Sequence, residues 1–317
     1  MSDQDPVFDA VTVTLNPAID RTTTISNFTA GAVNRVEQER VTPAGKGVNV
    51  ASALADYGRY VAVTGFLGRE NSALFEALFT QKKIEDRFVR LSGQTRAGIK
   101  IVDPVRQQTT DINFPGLAPA PADLHALRLR LAAVDSKWFV ITGSLPPGVD
   151  ATVYRDIVLE LKARGCKVVL DTSGKALFHA IAAAPNIIKP NNHELSALAG
   201  KSFQGETEVI EIAKQLLTRG IELVVVSMGK NGACFVTTTA VVVARPPEIE
   251  VKSTVGAGDA MVAGIVAAQL RGLSLIKCAR LATAFSLDAL TRIESGITSP
   301  AAVESLTDRV TIEEWVQ

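Results

Sequence analysis

The chain has 317 residues, 47% of them hydrophobic, with 33 basic and 33 acidic side chains in balance. That length supports one large core, and the charge balance gives no reason to expect nucleic acid or a membrane surface as partner. The three cysteines, Cys166, Cys234 and Cys278, are scattered, form neither a disulfide framework nor a zinc spacing, and read as buried thiols.

The start, MSDQDPVFDA, is acidic and lacks an apolar signal core. No apolar run approaches the roughly 20 residues that cross a bilayer, so a cytoplasmic protein is expected. The first β-branched run, VTVTL (11–15), predicts a strand. It runs into LNPAID (15–20), which places Asp20 just past the strand end. A carboxylate there could accept hydrogen bonds from sugar hydroxyls, or be an ordinary turn aspartate. Residues 21–41 then alternate polar and apolar, as strands with one wet face do. PAGKGVNVA (43–51) sets glycines before a predicted helix over 48–58, with Lys46 between them and Asn49 one turn in. Lysine and amide at a helix start suit a phosphorylated or hydroxyl-rich ligand, although a solvated loop lysine fits too.

YVAVTGFL (60–67) predicts the next strand, and residues 95–114 alternate again. The two alternating stretches read as a small sheet at the edge of the main domain, either a lid or an edge hairpin. WFVITG (138–143), KVVLD (167–171), NIIKP (186–190) and ELVVVSMG (222–229) continue the apolar runs, with helical patterns at 156–165 and 208–220 between them. Such alternation predicts a parallel sheet covered on both faces, with ligands beyond the carboxyl ends of its strands. KPNNHEL (189–195) puts Lys189, Asn191 and Glu194 at one such end, where oxygen and amide groups could hold hydrated magnesium. His193 has no metal-ligand partner there and, like His125 and His179, reads as surface. VSMGKNG (226–232) could line phosphates or be a tight hairpin turn. KSTVGAGDAMVAG (252–264) opens a helix carrying Val262, Ile265, Val266 and Leu270 on one face. Its glycines let backbone amides approach an anion at the helix's positive end; a plain glycine N-cap with Asp259 in the first turn is the other reading. Neither GxxxxGK[ST] nor GxGxxG is present. The tail, 300–317, predicts a helix plus a short end.

Taken together and in this order, NPAID, AGKGVNVA, KPNNHE, SMGKNG and STVGAGDAMVAG resemble the PfkB family of sugar kinases within the ribokinase-like fold. The similarity runs from about Val11 to Thr298. TLNPAID, AGKGVNV, TGSLPPG (142–148) and KSTVGAGDA look most like bacterial 1-phosphofructokinases, while VNRVEQ and KPNNHELSALAGK also look like tagatose-6-phosphate kinases. The resemblance implies a single α/β domain over 1–317. That domain is a doubly wound, mainly parallel sheet flanked by helices, with a small β-sheet lid inserted at about 21–41 and 95–114. It implies ATP and Mg2+. By the same carry-over, Asp259 is the catalytic base and Gly256, Ala257 and Gly258 the anion hole. Asp20, Gly45, Lys46, Asn49 and Arg96 bind the sugar phosphate. Lys189, Asn191, Ser227, Gly229, Gly232 and Thr254 bind nucleotide, and Glu194 lies by the metal. Ala260 departs from the serine or threonine that many relatives carry after the aspartate. The adenine pocket falls near 283–296 without a clear signature.

The implied reaction is phosphorylation of fructose 1-phosphate at its 6-hydroxyl. Tagatose 6-phosphate, fructose 6-phosphate or a nucleoside are rival acceptors, and a non-catalytic sugar-phosphate sensor is the rival of another class. A dinucleotide-dependent oxidoreductase lacks its fingerprint. No nucleic-acid or membrane partner is expected, and an exposed lid sheet offers a homodimer contact.

Overall fold

The computed structural model describes residues 7–292 and 294–315. Residues 1–6, which open the acidic start, residue 293 of the suggested adenine segment and the last two residues of the tail lie outside the described residues.

In chain order the elements are β1 (Phe8–Thr14), β2 (Ala18–Thr24), β3 (Gln38–Ala44), α1 (Lys46–Asp56), β4 (Val61–Gly68), α2 (Ala73–Lys82), β5 (Glu85–Asp86), β6 (Val89–Leu91), β7 (Ala97–Asp103), β8 (Gln108–Asn113) and α3 (Pro121–Ala133). There follow β9 (Ser136–Thr142), α4 (Val153–Ala163), β10 (Lys167–Asp171), α5 (Gly174–Ala180), β11 (Ile187–Ile188), α6 (Asn192–Ala199), α7 (Glu206–Leu217) and β12 (Leu223–Ser227). The chain ends with β13 (Ala233–Val236), β14 (Val241–Arg245), α8 (Ala257–Leu270), α9 (Leu275–Leu290), α10 (Pro300–Thr307) and β15 (Thr311–Glu314).

The apolar runs form the middle of an 11-stranded sheet in the order β15-β14-β13-β12-β11-β10-β9-β1-β4-β5, with β6 beside β4. From β12 to β5 the strands are parallel. Both faces are covered, as continuous apolar strands require. On β9, Val140 packs into the core under α1, α8 and α9, while its neighbours Phe139 and Ile141 enter the opposite core under α3, α4 and α7. The sequence reading stops at β12; β13, β14 and β15 extend the sheet antiparallel, so VSMGKNG is a hairpin connection and the short end of the tail is a strand. Helix α8 also differs from the expected one-faced helix. It is buried continuously from Asp259 to Ala268, because it is sandwiched by α1 and α9. Gly264 allows this: a Cβ there would stand 2.6 Å from Ala282 Cα.

The two alternating stretches form the second sheet, order β3-β2-β7-β8. Strand β2 leaves β1 after only three residues and β3 leads directly into α1, so the small sheet is rooted at the carboxyl end of the central strand. Asp20 is therefore inside a strand of the small sheet, two residues beyond where β2 starts, and not in a turn after β1.

Candidate active site

The carboxyl ends of β1, β9, β10 and β11 and the N-termini of α1 and α8 meet on one rim. Gly45 caps α1 with φ 124°, and a Cβ there would stand 2.9 Å from Pro17 Cα, so only glycine fits. This close approach sets Lys46 and Asn49 in the first turn of α1. Gly256, in the left-handed region at φ 80°, caps α8 and places Asp259 in its first turn.

The Asn49 amide donates to Asp259 Oδ2 at 2.7 Å. Asp259 is 7% exposed. Burial pushes its carboxyl up to about 6, with the Lys46 ammonium and the Asn49 bond restraining the rise and the charge of Asp171 adding to it. Asp171, at the end of β10, is fully buried between two ammonium groups. Lys46 Nζ lies 3.2 Å away and Lys189 Nζ 3.3 Å away. Desolvation alone would raise the Asp171 carboxyl, but Lys189 and Lys46 hold it below the ordinary carboxylate range. Burial would likewise lower the Lys46 ammonium, yet Asp171, Asp259 and Glu194 outweigh it and hold Lys46 above its ordinary value. A Cβ at Gly258 would stand 3.5 Å from Lys189 Nζ, so Lys189 reaches the start of α8. One cluster thus joins Lys46, Asn49, Asp171, Lys189, Gly258 and Asp259.

The main cleft lies beside this cluster. Asp20, Asn49 and Gly256 line it, with Thr22, Thr42 and Lys100 from the small sheet and Lys252, Ser253, Glu294 and Ser295 from the core side. Thr254 is exposed between two lining residues. The cations on the cleft wall are Lys100 and Lys252. Lys46 is engaged by Asp171, and Arg96 sits in a smaller neighbouring pocket. Arg96 donates to the Asn16 carbonyl at 3.2 and 3.3 Å and to the Phe114 carbonyl at 3.2 Å. Burial lowers its guanidinium below the ordinary value, and the charge of Asp20 opposes that shift.

On the other side of Lys189, Asn191 and Glu194 form a reciprocal cap on α6. Asn191 Oδ1 accepts from the Glu194 amide and Glu194 Oε2 accepts from the Asn191 amide, both at 2.9 Å. Asn191 also bridges to Ser227. Gly229, at φ 60°, opens the turn after β12, and Gly232 closes it with φ 88° and a would-be Cβ 1.9 Å from the Ala244 carbonyl. Among the described residues no group of three or more His, Cys, Asp or Glu could cage a metal. A cation that arrives on phosphate and keeps its water would need no such cage. His125 and His193 are exposed, His179 is half-buried, and all three cysteines are free and buried.

The sequence reading gave no role to Asp171, Lys100 or Lys252. Asp171 ends the predicted strand KVVLD, and nothing in that run marks its lysine partners. Lys100 stood in an alternating stretch, where a charge reads as solvated.

A model of the pfkB family of carbohydrate kinases matches residues 7–302. The chain is 48% identical over 305 residues to a 1-phosphofructokinase of Rhodobacter capsulatus, covering 95% of this chain and 96% of that one. It superposes with a TM-score of 0.87 and 31% identity on a possible 1-phosphofructokinase of Thermotoga maritima, covering 97% and 99% of the two chains. The tetrameric inhibited form of phosphofructokinase-2 from Escherichia coli matches with a TM-score of 0.87 and 26% identity over 95% and 99%.

Proposed function

That the chain belongs to the pfkB family of carbohydrate kinases is the premise from which we propose its reaction: ATP-dependent phosphorylation of fructose 1-phosphate at the 6-hydroxyl, giving fructose 1,6-bisphosphate and ADP. The observation that carries the chemistry is the bond of Asp259 to Asn49, because Asn49 lines the same cleft as Asp20. The choice of sugar rests on the likeness to the 1-phosphofructokinase of Rhodobacter capsulatus.

Phosphoryl transfer is chiefly positioning and charge stabilisation. The sugar lies between the small sheet and the rim, with Asp20 and Asn49 on its hydroxyls. Lys46 and Arg96 serve its phosphate, with a guanidinium suited to two-point contact. Asp259 accepts the proton of the 6-hydroxyl as its oxygen bonds the γ-phosphorus and the bond to the ADP oxygen breaks. A carboxyl at about 6 is ionised at neutral pH and is a stronger base than an ordinary carboxylate. The amides of residues 256–258, at the positive end of α8, meet the charge on the transferring group. Lys189, Asn191, Thr254 and the turn of Ser227, Gly229 and Gly232 hold the nucleotide. Glu194 would hold Mg2+ through the ion's water, and the ion would supply neutralisation of phosphate charge. Small-sheet closure excludes water and limits ATP hydrolysis.

The enzyme works in the cytoplasm on this reading, and no helix among the described residues is long and apolar enough to cross a membrane. Strand β8 is exposed along its whole length and is the homodimer contact, which light scattering tests.

A coupled ADP-release assay across fructose 1-phosphate, fructose 6-phosphate, tagatose 6-phosphate and free sugars tests the assignment. Fructose 1-phosphate is expected to give the highest kcat/KM. A higher value on another acceptor overturns the choice of sugar, and no turnover on any favours the sensor.

A further inference from the structure

This inference deepens the kinase reading and rests on it. Lys100 lies on β7 and Asp20 on the adjacent β2, with Lys100 Nζ 2.5 Å from Asp20 Oδ2. The side chains are only 16% and 15% exposed, yet both line the main cleft with Asn49 and Gly256. Strand register brings them together. Asp20 stands beside Gly98 and Thr22 beside Lys100, so Lys100 is the diagonal neighbour of Asp20 on one face. Gly98 leaves the carboxylate its room, since a Cβ there would stand 2.5 Å from Asp20 Oδ1.

An ammonium has three donors, and the ion pair uses one. A carboxylate that accepts one bond retains acceptor sites. The pair therefore presents donors and acceptors side by side, which matches two neighbouring oxygens of a polyhydroxylated ligand. One oxygen receives a bond from the ammonium while its neighbour's hydroxyl donates to the carboxylate. All three cations have protein partners, but Lys100, unlike Lys46 and Arg96, stands on the wall of the main cleft itself. Both members of the pair belong to adjacent strands of the small sheet, which hold them as one recognition unit.

We propose that Lys100 is a substrate-binding and specificity residue, donating to an oxygen of the phosphosugar while fixing Asp20 to accept from the hydroxyl beside it. The test is steady-state kinetics of full-length Lys100→Met and Lys100→Arg on fructose 1-phosphate and ATP, with thermal melting alongside. Lys100→Met is expected to raise the KM for the sugar phosphate by about tenfold or more, in line with a charge-assisted hydrogen bond. The KM for ATP and the melting temperature should stay near wild type, and Lys100→Arg should recover part of the loss. An unchanged sugar KM overturns the proposal. So does a rise in both KM values together with a fall in melting temperature, which marks a purely structural pair. The wild-type rate on fructose 1-phosphate decides the kinase reading separately. If another phosphosugar is the acceptor, the same variants are measured on it; if none is, this proposal falls with that reading.

Discussion

The Asn49 amide, donating to Asp259 Oδ2 at 2.7 Å, ties the first turn of α1 to the first turn of α8 across 210 positions of chain. That bond orients the buried carboxylate, and it joins α8, whose first amides we propose meet the transferring group, to α1, which carries Asn49 into the cleft.

The pH dependence of turnover follows from Asp259. Its carboxyl is raised to about 6, and the base must be ionised, so kcat/KM is expected to fall as pH drops below about 6. A pH profile of initial rates checks this, and an acid limb near the ordinary value of about 4 would remove Asp259 as the base. The linkage to stability runs the other way. A carboxyl raised on folding stabilises fully below its unfolded value of about 4 and loses that contribution as pH rises through about 6. Asp259→Asn is therefore expected to melt no lower than wild type at pH 8.

Asp171 is expected to be the more important of the two for stability. Replacing it by Asn leaves Lys189, 5% exposed, without its carboxylate. Removing one member of a buried pair costs about 3–5 kcal/mol, read as a lower urea midpoint. Because the Asp171 carboxyl is held below the ordinary range, its contribution is present at neutral pH and is lost as pH falls through that depressed value. A loss under about 1 kcal/mol at pH 7 would show the two lysines indifferent to Asp171.

Gly98→Ala tests the placement of Asp20. The new methyl would stand 2.5 Å from Asp20 Oδ1, and the side-chain end can yield while the strand pairing stays. The expected result is a sugar KM about tenfold higher, with the KM for ATP unchanged and the melting temperature within about two degrees. Equal loss on both substrates would place the damage in the fold.

Much of this was legible in the chain, for identifiable reasons. The doubly covered parallel strands showed as continuous apolar runs, and KVVLD coincides with β10. The small sheet showed as alternation. The antiparallel extension of β13 to β15 was missed because short apolar runs after a glycine turn carry no marker of sheet membership. Asp259 and Asn49 were visible inside glycine motifs, and Asp20 in NPAID, although it lies inside β2 and not in a turn after β1. The roles of Asp171 and Lys100 were not legible, because they lie in partners 125 and 80 residues away, which only the folded chain brings together.

The most direct test of the central claim is the turnover of Asp259→Asn with fructose 1-phosphate and ATP, measured beside ATP binding. Turnover is expected to fall by about a hundredfold or more, the reach of general-base help, with ATP binding close to wild type. Turnover within a few-fold of wild type would contradict the assignment of Asp259 as the base.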